Sequence, residues 1–181
     1  MLNDTPKWVA IYTNPRAEKR ANERLKDLGY ETYLPLQRKL HRWSDRWKNV
    51  DVPLITSYMF VKMCAKDVVP VRAAEGVSYI VSWHSQPAII PDSEIEIIRR
   101  LMEAEAEVNA VNDSRLKKGK RVRIIGGQFE GMEGTLISDC EEGNFGINIS
   151  GLNVALVMVI EQALLQPVEE PKHRKRIHMR Q

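Results

Sequence analysis

The chain has 181 residues, 43% of them hydrophobic, a formal net charge of +3 and two cysteines. That is enough for one large or two small folded domains, and no stretch approaches the length of a membrane span. Cys64 and Cys140 are too far apart for metal-ligand or redox spacing, so buried thiols are expected rather than a disulfide. Met1-Leu2-Asn3-Asp4 lacks the basic segment and apolar run of a signal peptide, so a cytoplasmic location is expected.

In chain order, Lys7–Thr13 reads as a first strand. Asn14-Pro15 is a turn, and a helix runs on to about Leu28, where Gly29 ends it. Ala17, Ala21, Leu25 and Leu28 form the buried stripe of that helix. Arg16, Arg20 and Arg24 recur every fourth residue on an adjacent face, with Lys19 beside them. A strand follows around Glu31 to Leu40. Arg38 to Lys48 reads as a hairpin turning near Ser44-Asp45. Its interleaved Arg42, Trp43, Arg46 and Trp47 suit a surface that stacks on bases and holds phosphates, or tryptophans folded back on the sheet.

The next stretch, Pro53 to Met63, is the centre of the domain. Aromatic and β-branched residues dominate it, as in a strand. Alternation puts Tyr58 and Phe60 on one face and Met59, Val61 and Met63 on the other. Both faces are apolar. Either both are covered by the chain itself, or one is a partner surface. Asp67 to about Ala74 reads as helical, Gly76 to Trp83 as a strand and Pro87 to Pro91 as a short extended piece. Asp92 or Ser93 caps a third helix with Ile95, Ile98, Leu101 and Met102 inward. Residues 103–118 turn small, polar and charged, as in a linker that begins helical and becomes flexible.

From Gly119 the texture is all-β. Arg121–Ile125, Phe129–Ile137, Asn144–Ile149, Ala155–Ile160 and Leu164-Leu165 make five short strands, which suggests a small barrel. Gly126, Gly127 and Gly131 fit positive φ or close backbone approach. The charged, proline-broken tail from Glu169 is expected to be disordered.

Charge is uneven. Residues 171–181 carry five cations and no acid, and the first fifty residues carry 11 basic against 6 acidic side chains. Positive charge at the two ends suits a polyanion such as nucleic acid, or a solubilising tail and an ordinary solvated helix face. His41, His84, His173 and His178 fall in hairpin, loop and tail. No nucleophile–base pair, metal spacing or phosphate loop emerges, and Asp45 and Asp139 read as turn residues. No enzyme, cofactor or metal is expected.

Lys120-Arg121-Val122-Arg123-Ile124 followed by Gly126-Gly127-Gln128-Phe129-Glu130-Gly131-Met132-Glu133-Gly134 resembles a KOW motif, found in NusG/Spt5 transcription factors and several ribosomal proteins. Trp8, the Pro53–Val61 run, Gly76–Val81 and Pro87–Pro91 are similar to the NusG N-terminal domain, above all to its specialised paralogs of the RfaH/UpxY antiterminator type. The resemblance spans nearly the whole chain except the tail. It implies an α+β fold in which an N-terminal antiparallel sheet flanked by helices is linked to a five-stranded KOW β-barrel. The domains would be 5–103 (polymerase-binding), 104–118 (linker), 119–168 (KOW, with Gly126, Gly127, Phe129, Gly131 and Gly134 as its motif) and 169–181 (basic tail).

The resemblance also implies partners. The apolar surface that binds the clamp-helix coiled coil of RNA polymerase's largest subunit would comprise Tyr12, Ile55, Tyr58, Phe60 and Trp83, with Tyr58 and Phe60 exposed. Arg16, Lys19, Arg20, Arg24, Arg42, Trp43 and Arg46 would face upstream or non-template DNA, or nascent RNA. The KOW domain would meet termination factor Rho, a small-subunit ribosomal protein, or neither. A monomer that suppresses pausing and termination at polysaccharide operons is the implied function, with housekeeping NusG or a ribosome-binding KOW protein as alternatives. Departures from RfaH at Asn14-Pro15, at Ala74-Glu75 and at Val68-Val69-Pro70 leave its DNA element out of the comparison. The β-branched residues of the C-terminal region disfavour helix, so a stable, freely tethered barrel is expected.

Overall fold

The computed structural model describes residues 2–42, 46–113, 118–137 and 143–168. The readings placed on Trp43, Asp45, Asp139, Cys140 and the tail lie outside these residues.

The N-terminal sheet is built on β1 (Lys7–Thr13) and β5 (Tyr58–Met63), which pair antiparallel along their length. β2 (Glu31–Tyr33) adds to the free side of β5. β6 (Val77–Ile80) and β9 (Ile89–Ile90) share the other edge of β1 at successive positions. Alternation sorts the central strands as the sequence predicts. Val9, Ile11, Met59, Val61 and Met63 pack with Ala21 and Leu25 of α1 (Glu18–Asp27) and Val71 of α2 (Val68–Arg72). Trp8, Ala10 and Phe60 join a second cluster containing Ile95, Ile98 and Leu101 of α3 (Asp92–Glu103). Each Val, Ile, Leu, Met or Phe side chain among them taken out of water contributes about 1.5–3 kcal/mol, so the two clusters dominate the stability of this half.

Several elements are shorter than predicted. The Pro53–Met63 strand is interrupted: β4 (Trp47–Pro53) ends at the proline, and a turn over 54–57 precedes β5. Pro35 similarly divides β2 from β3 (Leu36–Arg42), because proline cannot donate to a ladder. Among the described residues β3 and β4 pair only with each other, as a hairpin standing off the main sheet. α1 starts at Glu18, and Leu28, assigned to its buried stripe, is 49% exposed. The helix has already closed there, through Gly29 N–H to the Lys26 carbonyl and Tyr30 N–H to that of Leu25, the bond pair of a Schellman end. The α3 N-cap is Pro91, not Asp92 or Ser93. Cys64 is a buried free thiol whose Sγ donates to the Asp4 carbonyl.

The C-terminal half is one antiparallel six-stranded sheet, ordered β10 (Asn109–Asn112), β14 (Val154–Val159), β13 (Asn144–Ile149), β12 (Glu133–Ile137), β11 (Lys118–Ile124), β15 (Leu165–Pro167). Part of the expected flexible linker is thus a strand: Asn109–Asn112 pairs with Val154–Val157. Nor is this half freely tethered. Its interior residues, Phe145, Ile147, Leu156 and others, belong to the same apolar cluster as Trp8, Phe60 and α3. The reason is that α3 is apolar on two sides. Arg99 reaches the N-terminal sheet, lying over the rings of Trp8 (5.8 Å) and Tyr33 (5.3 Å). Its neighbour Arg100 donates to the Gln128 carbonyl (3.1 Å), and Glu94 accepts from Ser150 N–H (2.8 Å). One helix therefore serves as the core layer for both sheets.

Candidate functional site

Three tyrosines form a row across one end of the N-terminal sheet. Tyr12 on β1 lies opposite Tyr58 on β5 and opposite Tyr79 on β6. Tyr12 stacks on Tyr79 (centroids 4.8 Å, 13° between planes) and meets Tyr58 edge to face (5.0 Å, 85°). Both are arrangements that aromatic quadrupoles favour. Tyr12 and Tyr58 are half-buried, and Tyr79 is 46% exposed. Burial, then the neighbouring Tyr79 and Tyr12 hydroxyls, raise the Tyr58 phenol above its ordinary value. The row is an amphipathic surface of large rings with their hydroxyls available.

This surface differs from the predicted one. Phe60 is fully buried and Ile55 is 3% exposed, so neither presents to solvent. Register explains the first. Phe60 pairs with the small Ala10 and lies near-parallel to Tyr33 (6.3 Å) within the cluster that α3 completes. Ile55 turns inward to the same cluster, its carbonyl accepting the Tyr58 N–H. Trp83 is 68% exposed on the β7 (Ser82–Trp83)–β8 (Gln86–Pro87) hairpin, where its ring contact is His84. Tyr79 was missed. It sits in a stretch correctly read as strand, but its place in the row depends on the β1–β6 register, which no local pattern gives.

The basic residues divide into two groups. Arg16, Lys19, Arg20 and Arg24 are all exposed, on α1 and the turn before it. Arg20 and Glu75 approach to 3.8 Å, but both side chains are about three-quarters exposed, so the pair contributes little and leaves the cation available. The second group is the β3–β4 hairpin. Arg42 lies over the ring of Trp47 (5.9 Å), Trp47 is 61% exposed, and Arg46 is exposed beside it. Trp47 therefore stands out from the sheet rather than folding back on it. At the base of the hairpin, the Gln37 amide nitrogen donates to the carbonyls of Val108 (2.8 Å) and Ala106 (3.4 Å).

Residues 6–99, just over half of the chain, match the family model described as the transcription termination factor NusG. The chain belongs to the NusG family. The solved structure describing domain interaction in Thermotoga maritima NusG aligns over 91% of this chain and 98% of its own, at 22% identity and a TM-score of 0.54. That likeness concerns the fold. Two conformations of the MjSpt4:Spt5 complex also align, at 15% and 16% identity over 91% and 92% of this chain and 99% of theirs, with TM-scores of 0.29 and 0.31. No curated protein matches the sequence.

In this NusG-family chain the glycine run of the C-terminal sheet has a geometric purpose. Gly131, at φ +84°, closes the turn between β11 and β12, its N–H donating to the Ile124 carbonyl (2.8 Å). Gly134 passes so close to β13 that a Cβ there would come within 2.5 Å of the Phe145 ring. Gly126 and Gly127 lie beside Leu164, and Phe129 is buried. The motif thus packs the sheet and offers no chemistry of its own. On the outer side, Glu133 accepts from Arg121 Nη2 (3.0 Å) and Arg123 Nε (3.0 Å). The Arg123 hydrogen bond, ahead of the other effects, holds the Glu133 carboxyl below its ordinary value.

Proposed function

We propose that this protein is a transcription elongation and antitermination factor that grips the clamp-helix coiled coil of RNA polymerase's largest subunit through the Tyr12–Tyr58–Tyr79 row. The observation that carries the reading is the row itself: three mutually packed aromatic rings left partly open at the end of an otherwise covered sheet face. Aromatic anchors of this kind dominate protein interfaces, and truncating one costs about 2 kcal/mol or more. α1, with Arg16, Lys19, Arg20 and Arg24, and the hairpin, with Arg42 and Arg46, contact upstream or non-template DNA. The resemblance to RfaH/UpxY paralogs supports a specialised role at polysaccharide operons. The KOW domain then engages Rho or a small-subunit ribosomal protein.

An RNA- or ribosome-binding KOW protein is the competing reading. It is less favoured because two of the four cations on β11, Arg121 and Arg123, pair with Glu133 on the neighbouring strand. The deciding experiment is capture of polymerase elongation complexes by the full chain and by Tyr58→Ala/Tyr79→Ala, with folding of both followed by circular dichroism. Binding lost in the folded double variant supports the polymerase reading. Equal binding by both overturns the tyrosine row as the anchor. Retention of RNA with no polymerase binding by either moves the function to the competing reading.

A further inference from the structure

Three polar side chains are buried among the described residues, Thr13, Glu18 and Ser57, and all three meet at one corner behind the tyrosine row. Glu18, the first residue of α1, is 5% exposed, and its Oε1 accepts the Ser57 backbone N–H at 2.9 Å. The Ser57 carbonyl in turn accepts the Thr13 N–H, also at 2.9 Å. Ser57 is therefore held on both sides, by one residue that follows Tyr12 and another that begins the basic helix. It needs holding. Its φ is +62°, in the left-handed region that residues with a side chain rarely adopt, and Tyr58 comes immediately after it. A carboxylate buried this deeply is costly without compensation, and the N-terminus of α1 and the Ser57 amide supply it. The buried Thr13 Oγ1 has no hydrogen-bond partner among the described residues.

We infer that Glu18 is a positioning residue for the tyrosine row. Its carboxylate pins the Ser57 peptide in the left-handed turn and so sets the direction in which Tyr58 leaves the turn to meet Tyr12 edge-on. Because the same residue opens the helix carrying Lys19, Arg20 and Arg24, the row and the basic face share one rigid mount. The inference rests on the proposed role of the row in binding polymerase.

The test combines the tyrosine ring resonances of the full chain, read by two-dimensional NMR, with capture of elongation complexes. Glu18→Ala is expected to displace the Tyr58 ring resonances and to weaken capture at least tenfold. Ser57→Gly removes the conformational cost of the turn, so Glu18→Ala/Ser57→Gly is expected to restore both, while Ser57→Gly alone leaves both unchanged. Unmoved Tyr58 resonances in folded Glu18→Ala overturn the inference. If Glu18→Ala fails to fold, a folded double variant with native Tyr58 resonances supports it, and a double variant that also fails to fold overturns it. Should Glu18→Ala move the rings while Tyr58→Ala/Tyr79→Ala still binds polymerase, Glu18 positions the row and the polymerase reading is the one that falls.

Discussion

The two faces of the N-terminal sheet come from the same strands yet end in different states. On the face under α1 and α2, Val9, Ile11, Met59 and Val61 are all fully buried. On the other, Trp8, Ala10 and Phe60 disappear beneath α3 and the C-terminal sheet, but the row at Tyr12, Tyr58 and Tyr79 stays partly open. Alternation along a strand says which residues share a face. It does not say how far the covering layer extends, and here the cover stops between Phe60 and Tyr58, two residues apart.

The largest effect expected from that contrast is on stability. Phe60→Ala should cost about 3–5 kcal/mol and Met59→Ala about 2–5 kcal/mol in urea denaturation, because both leave cavities in closed cores. Similar losses at the two positions would establish that the faces are equally dry at this point of β5. Tyr79→Ala should behave in the opposite way. Its cost in denaturation should stay below about 1 kcal/mol, while polymerase capture weakens by about 2 kcal/mol, as for an interface anchor. A large stability loss instead would mean that the row is core.

Salt dependence sharpens the contrast from outside. Each of Arg20→Ala and Arg24→Ala should reduce the slope of log affinity against log salt by about 0.7 on single strands or about 0.9 on duplex DNA. An unchanged slope would remove α1 from the nucleic-acid surface.

A further effect is alkaline. Burial, opposed by Arg99 and reinforced by Glu103 and Glu96, lifts Tyr33 from 10.0 to about 12. A folded-state value above the unfolded one gives stability that is complete below pH 10 and lost as pH rises toward 12. Tyr33→Phe should therefore flatten the fall in urea midpoint over that range.

Much of this was legible in the sequence. The strand–helix order, the sorting of Met59 from Phe60, the end of α1 at Gly29 and the all-β texture after Gly119 follow from patterns a few residues long. What escaped depended on distant partners. The family resemblance, not the strand pattern, places Phe60 on the surface, and nothing near it in sequence announces that Ala10 lies opposite and α3 above. Asn109–Asn112 has no apolar periodicity, yet β14 recruits it through backbone bonds, which do not depend on side-chain pattern. The domain contact was hidden in α3 itself, where Ile97 and Met102 beside Ile95, Ile98 and Leu101 make a helix wider in apolar arc than one sheet requires.

Gln37 draws out one mechanical consequence. Its single amide nitrogen spends both hydrogens on Ala106 and Val108, in the segment that leads from α3 into β10. The hairpin and the interdomain segment are thereby geared together: a pull applied at Trp47 loads the crossing between the two halves of the molecule, and the hairpin swings away only by breaking both bonds.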